Sequence, residues 1–210
     1  AGTRPADTVT WVKIQTIGLS GWERPMLYPA TRGLWSQPSP NMPTFDTTVV
    51  YPGTCLFEAT NVSEGRGTTR PFEIIGAPFI DPKKYATALN EQKLPGVYFR
   101  PLYFKPTFHK FKDQACGGVF VHVTDIGIFE SFYTGLSMVK TAHDLWPKEF
   151  DWRREPYEYV ADVLAIDLLT GSGEFREVVE RGGSLAAYRD QYQKTQEEFR
   201  KLSRDFQLYK

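Results

Sequence analysis

Thr54-Cys55-Leu56-Phe57-Glu58-Ala59-Thr60-Asn61-Val62-Ser63-Glu64-Gly65-Arg66-Gly67-Thr68-Thr69-Arg70-Pro71-Phe72-Glu73 decides how this chain is read. It opens as a short apolar run, expected as a strand, and breaks into a loop. The loop carries carboxylates, guanidiniums, an amide, hydroxyls and two glycines. A core strand has no use for such an ending; a site that grips a polyhydroxylated or acidic ligand does. Glu58 lies near the end of the apolar run and Glu64 follows in the loop. Two carboxylates brought across a sugar supply the acid and base of glycoside hydrolysis. A separation of about 5–5.5 Å would give retention and about 6.5–9.5 Å inversion. Arg66 and Arg70 suit a ligand carboxylate, because a guanidinium grips one with two parallel N–H bonds. The competing reading is that Glu64 and Glu73 pair with Arg66 and Arg70 and only hold the loop in shape. Gly65 and Gly67 permit backbone conformations other residues resist. The loop lacks the lysine and glycine spacing of a Walker phosphate cradle.

Upstream, Val9 to Ile14 alternates and reads as a strand. The proline cluster Pro38-Ser39-Pro40-Asn41-Met42-Pro43 forbids helix and favours a stiff surface segment. Asn41 there, and Asn61 in the loop, could hold hydroxyl or acetamido groups or could stitch their own turns. Trp22 and Trp35 sit in loops, as sugar platforms or as anchoring plugs. Downstream, Asp81-Pro82 opens a helix running to about Asn90. Val97 to Phe104 and Gly118 to Asp125 read as strands, expected as an antiparallel pair. Helices follow over Phe132 to Leu145 and Glu174 to Glu180, the second closed by Gly182-Gly183. Ser184 caps a last, long helix. Its stripe of Leu185, Tyr188, Tyr192, Thr195, Phe199, Leu202, Phe206 and Tyr209 recurs at steps of three and four. So aromatic a stripe points to packing along the helix's own domain rather than to a coiled-coil seam.

Composition narrows the function classes. The 210 residues fit one domain, or a domain with a small satellite. Lysine plus arginine equals aspartate plus glutamate at 25 each, which argues against a general nucleic-acid binder. No apolar run approaches a membrane span, and no signal-peptide pattern opens the chain. Cys55 and Cys116 lie outside any metal spacing and read as two buried thiols, with pairing left open. His109 and His143 have no metal-ligand partner at i+4, so neither a metal nor a cofactor is expected. His122 stands in an apolar strand, as a base, a ligand or a satisfied core histidine. No Gly-x-Ser-x-Gly elbow supports an esterase.

Taken together, Pro38 to Thr44, Tyr51 to Thr54, Glu58 to Thr69, Pro71 to Glu73, Gly76 to Pro78, Leu94 to Val97, Pro106 to Phe108, His122 to Asp125 and Pro156 to Glu158 resemble one family, in order. It is a bacterial family once labelled a domain of unknown function, which includes exo-acting peptidoglycan β-N-acetylmuramidases. The resemblance runs from about Gly21 to the C-terminus. It implies an α/β or α+β fold: residues 1–80 as the end of a Rossmann-like domain with cleft loops, and residues 81–210 as a small mixed-sheet α+β auxiliary domain ending in a long helix. It implies that this chain is the C-terminal portion, one wall of a cleft whose other wall, with the family's proposed catalytic glutamate, belongs to a missing N-terminal Rossmann-like half. The implied substrate is a peptidoglycan-derived sugar bearing N-acetylmuramic acid. Arg66 or Arg70 would take its carboxylate. Asn41, Asn61, Thr68 and His122 would hold its other polar groups, and Glu58 or Glu64 would assist protonation or orient water. On this view Arg66→Ala weakens ligand binding without unfolding the chain. The implied location is periplasmic or secreted, with the cytoplasm left open. The alternative is a non-catalytic cell-wall sugar-binding module or a subunit that docks a partner.

Overall fold

A computed structural model describes residues 15–209. The strand expected over Val9 to Ile14 lies outside the described residues. The protein is α+β: one small antiparallel sheet covered by helices, with a long C-terminal helix. The first long element is α1 (Phe45–Thr54), followed by a 3-10 segment (Cys55–Ala59). Then come β1 (Ile74–Ala77), α2 (Pro82–Glu91), β2 (Val97–Phe104), β3 (Cys116–Val123), α3 (Ser131–Leu145), α4 (Ala165–Thr170), α5 (Glu174–Glu180) and α6 (Leu185–Ser203).

The apolar opening of the Thr54 to Glu73 stretch is helical, not a strand. Thr44 caps α1 by accepting from the Thr47 N–H, and the turn tightens into the 3-10 segment after Thr54. A short apolar run cannot be assigned by periodicity alone, and here its burial comes from helix packing. Pro52, inside α1, would disrupt the backbone ladder. The Ser131 hydroxyl clasps the same turn from the facing helix, donating to Val50 O at 2.9 Å and accepting from Gly53 N at 3.0 Å. Gly53 and Gly135 meet backbone to backbone at this crossing of α1 and α3, where a Cβ on either would collide with the other helix.

The strand order is β1-β3-β2, antiparallel throughout. Arg100 lies opposite Phe120, and Tyr98 opposite His122. The second expected strand is shifted: it starts at Cys116 and ends at Val123, because Thr124 N and Asp125 N turn onto Gly96 O. On the β2 edge, the Asn90 side chain both donates to Phe99 O and accepts from Phe99 N, taking the place of a further strand. Pro101 removes another edge donor, and both devices blunt edge-to-edge pairing. On the β1 edge, Ser63 of the loop exchanges two backbone hydrogen bonds with Gly76. The loop is thereby riveted to the sheet.

One buried cluster takes in Val50, Leu56 and Phe57 together with Tyr85, Val119, Leu136 and Phe175. It extends on both sides of residue 80, the expected domain boundary. Cys116 is fully buried and Cys55 partly so; both thiols are free, and burial pushes each up to about 11. The stripe on α6 packs over its first half only: Tyr188 is buried against Phe175, and Tyr192 meets Phe132 edge-on at 5.6 Å. No helix among the described residues is long and apolar enough to cross a membrane.

Candidate functional site

The loop after the 3-10 segment is shaped by backbone demands at three positions. Gly65 and Gly67 have φ of 76° and 83°, and a Cβ at either would strike neighbouring backbone. Phe72 also has a left-handed φ, 63°, which a bulky residue adopts only when its surroundings hold it. Its ring is buried against Tyr51 at 4.8 Å, the Arg66 guanidinium lies 5.0 Å over it, and its N–H donates to Glu64 O. The effect is to fold the carboxylates and guanidiniums of the loop inward.

Glu64 ends up fully buried. Its Oε2 accepts from Lys110 Nζ at 2.9 Å, and its Oε1 lies 3.1 Å from Arg66 Nε and 3.2 Å from His109 Nδ1. Neither of those N–H groups meets Oε1 in good hydrogen-bond alignment, so Arg66 acts on it through its charge, with the His109 ring packed alongside. Burial pushes the Glu64 pKa up, but His109 and Lys110 outweigh it and hold the carboxyl at about 2. Burial draws the Lys110 pKa down against the pull of Glu64. The ammonium is nevertheless fully used, since Phe57 O at 2.8 Å and Val62 O at 3.1 Å take its other two protons. Arg66 Nη2 reaches Glu58 at 2.5 Å, and Glu58 also accepts from the Tyr157 hydroxyl at 2.7 Å. Burial and Glu58 together raise the Tyr157 pKa, which keeps its proton on oxygen. Two carboxylates face the Arg66 and Lys110 cations here, with His109 beside them. This network walls a recess of about 300 Å³ that Phe108, Arg153 and Glu158 also line.

Arg70 and His122 face a different and larger recess, about 640 Å³, between α1 and β3. Its floor is Glu73, almost wholly buried and accepting from the Thr47 hydroxyl at 2.7 Å. Arg70 Nη1 rests 3.4–3.5 Å from both Glu73 oxygens, and its Nε and Nη2 have no partner among the described residues. His122 stacks on Phe120 at 4.3 Å, with Arg100 over the same Phe120 ring at 5.4 Å. Arg100 Nε–H donates to His122 Nε2 at 3.1 Å, so the neutral ring carries its proton on Nδ1. Burial, reinforced by the Arg100 charge, lowers the His122 pKa and favours that neutral form.

The sequence-derived candidates therefore separate. Glu58, Glu64 and Arg66 come together at the smaller recess, and Arg70 and His122 at the larger. Glu64–Arg66 and Glu73–Arg70 pair as the loop-holding reading expected. Asn61 uses both ends of its amide on backbone, Glu149 O and Asp151 N. The Thr68 hydroxyl donates to Gly65 O and accepts from Arg70 N. Asn41 is half-buried in the proline-rich turn, its N–H on Ser39 Oγ. Trp35 is an anchor: its Nε1 donates to Pro43 O, and its ring meets Tyr28 and Phe45 edge-on. Sequence reasoning passed over Lys110, Tyr157 and Thr47. An isolated lysine or tyrosine carries no signal of its partner; only Glu73, inside the quoted stretch, was visible as a further carboxylate. No group of three or more His, Cys, Asp or Glu side chains among the described residues could hold a metal ion.

The protein is an α+β module with a buried ion network at one recess and arginine, glutamate and neutral histidine at a larger one. The chain belongs to the family described as "Exo-beta-N-acetylmuramidase NamZ, C-terminal", whose profile matches residues 49–209. It is 42% identical over 196 residues to a peptidoglycan beta-N-acetylmuramidase from Bacillus subtilis (strain 168), covering 93% of this chain and 45% of that protein. Its fold is similar to a DUF1343 family protein of Bacteroides fragilis NCTC 9343, with TM-score 0.81 and 30% identity, over 90% of this chain and 49% of that one. A second protein of that family from the same organism shares the fold at TM-score 0.56 and 23% identity, over 83% of this chain and 44% of the other. The chain thus spans about half the length of the relatives it matches.

Proposed function

We propose that this region is the sugar-holding wall of a glycosidase that releases terminal N-acetylmuramic acid from peptidoglycan fragments. The observation that carries the reading is the Arg70–Glu73–His122 wall of the larger recess. Glu73 fixes the guanidinium from below and leaves Arg70 Nε and Nη2 for a two-pronged grip on the lactyl carboxylate, or on the peptide that replaces it. Neutral His122 offers Nδ1–H to an acetamido carbonyl or a ring hydroxyl. Asp46 and Thr124, on the rim, add acceptors for hydroxyls. Asn41, Asn61 and Thr68 serve by holding the loops that carry these groups.

Glu58 and Glu64 are the chain's own carboxylates for the chemistry. Glu64, held ionised and buried, suits the stabilisation of positive charge from behind the recess rather than proton donation. Glu58 opens on the smaller recess between Arg66 and Tyr157, and an incoming sugar would compete for those two partners. Proton donation to the leaving group then falls to the part of the protein that precedes this region in its relatives. Peptidoglycan substrates fit a periplasmic or secreted protein.

The second reading, a sugar-binding module without turnover, is favoured by the pairing of both carboxylates with cations in the chain alone. Titration calorimetry with N-acetylmuramic acid and a release assay on its chromogenic β-glycoside separate the two. Binding with turnover supports the glycosidase wall, and binding without turnover supports the module. No binding to the chain or to a longer form overturns both.

A further inference from the structure

We infer that the outer half of α6, with the turn that follows it, is the docking surface for the polypeptide that precedes this region in its longer relatives. The inference rests on family membership and not on the glycosidase reading. At 19 residues α6 is about 28 Å long, and only its first half has a domain beneath it. Leu185, Tyr188 and Tyr192 pack inward. Beyond Thr195 the same three-and-four spacing continues through Phe199, Leu202 and Phe206, which stay open to solvent, before Tyr209 meets Trp22 and Leu19. Phe199 is 68% exposed, Leu202 72%, Phe206 85% and Leu208 69%. An amphipathic stripe that runs on in register past the edge of its domain is the pattern of a helix with a second surface to bury.

The occupant follows from where the preceding chain arrives. Residues 17–22 run alongside the end of α6. The Leu19 N–H donates to the Tyr209 hydroxyl, and the Trp22 ring meets the Tyr209 ring edge-on at 4.7 Å. Ile17 and Leu19 are themselves 85% and 67% exposed, and they extend the apolar patch towards the incoming chain. The relatives matched here carry a comparable length of polypeptide outside the region shared with this chain, and the matching family profile is that of a C-terminal part. A segment joined at this point is held at high effective concentration over the stripe, so modest apolar contact suffices to dock it. A second copy is the poorer fit. Self-pairing seams favour aliphatic residues at both core positions, and this stripe alternates Phe with Leu.

Amide hydrogen exchange tests the surface directly. The part of the Bacillus subtilis relative that precedes the matched region is joined ahead of Ala1, and exchange of residues 195–206 is compared with that of the unfused chain. The docking surface predicts at least tenfold slower exchange in the fused protein, independent of concentration. It also predicts loss of that protection in the fused Phe199→Glu/Phe206→Glu variant, with exchange around Tyr188 unchanged in both. Equal exchange in fused and unfused proteins overturns the inference. So does protection in the unfused chain that grows with its concentration, which would assign the stripe to a second copy. Protection that survives in the double variant also overturns it.

Discussion

Tyr157 donates its hydroxyl hydrogen bond to Glu58 across 99 residues of chain, at 2.7 Å. That contact ties the Tyr157–Val160 hairpin to the loop network and leaves the other oxygen of Glu58 to Arg66. Hydrogen bonds to charged groups contribute about 1.5–3 kcal/mol, and this one is partly screened by the recess beside it. Tyr157→Phe is expected to lower stability by about 1.5 kcal/mol in urea unfolding. A loss below about 0.5 kcal/mol would mean that Arg66 alone holds Glu58.

The same hairpin carries a strained turn. Tyr157 and Val160 exchange both backbone hydrogen bonds, and the two residues between them, Glu158 and Tyr159, have φ of 47° and 68°. Two positive φ values define the mirror-image turn that asparagine-glycine adopts most readily. Tyr159 is fully exposed, so no packing of its ring offsets the conformation. Glu158→Asn/Tyr159→Gly should stabilise the fold by about 1 kcal/mol and raise the melting temperature by about 2–4 °C. A fall in melting temperature would show that one of these side chains stabilises the hairpin in a way its exposure conceals.

Acid should unfold the chain through Glu64. Its carboxyl titrates at about 2 in the folded protein against 4.5 for the free group. A depressed folded-state pKa adds stability that is complete above pH 4.5 and disappears as pH falls towards 2. The shift corresponds to roughly 3 kcal/mol, since one unit is about 1.4 kcal/mol. Unfolding free energy followed from pH 6 to pH 2 should drop by about that amount in the parent and much less in Glu64→Gln, which begins less stable. Parallel pH profiles for the two proteins would assign the acid sensitivity to other carboxylates. Lys110→Met should cost about 3 kcal/mol at neutral pH, because it leaves a buried carboxylate without its strongest partner.

The two loop arginines should divide by function. Arg66 bridges Glu58 and Glu64, one of them fully buried, so Arg66→Ala should destabilise the fold by roughly 3 kcal/mol. This replaces the expectation from sequence that the substitution would weaken binding and leave folding untouched. Arg70 is the more exposed, and among the described residues its one ion pair is with Glu73, at 3.4 Å, beside a hydrogen bond to the Thr44 hydroxyl. Arg70→Ala should cost about 1 kcal/mol or less and lower affinity for N-acetylmuramic acid about tenfold. Arg70→Lys, which keeps the charge but not the fork, should recover only part of that affinity. Melting curves and calorimetry on the three variants decide it. Unchanged affinity in Arg70→Ala would remove this residue from the site.

Local signals in the sequence determined several elements without help. The Asp81 cap with Pro82 behind it placed the start of α2, and Asp81 does accept from Lys84 N. Val97 to Phe104 reads as a strand and is β2, and Ser184 placed the start of α6. Each depends on neighbours a few residues away, which is why it could be read. The family was also legible, because its motifs recur in order along the chain. Tertiary structure alone decided the rest. The apolar run at Leu56 and Phe57 is expected as a strand and is helical, because the facing helix α3 is part of the surface that buries it. Arg66 and Arg70, four residues apart in sequence, were assigned one site. The first joins the buried network that holds Glu64 and the second rests on Glu73 in an open recess, with Gly67 in the left-handed region between them. Tyr157 falls within a family motif, but its bond to Glu58 and the Lys110–Glu64 pair have no pattern of their own, because geometry between distant residues chooses them and leaves no spacing to read. The stripe on α6 shows both limits together. Its period marked a helix with an apolar face, and only the edge of the domain showed where that face runs out of cover.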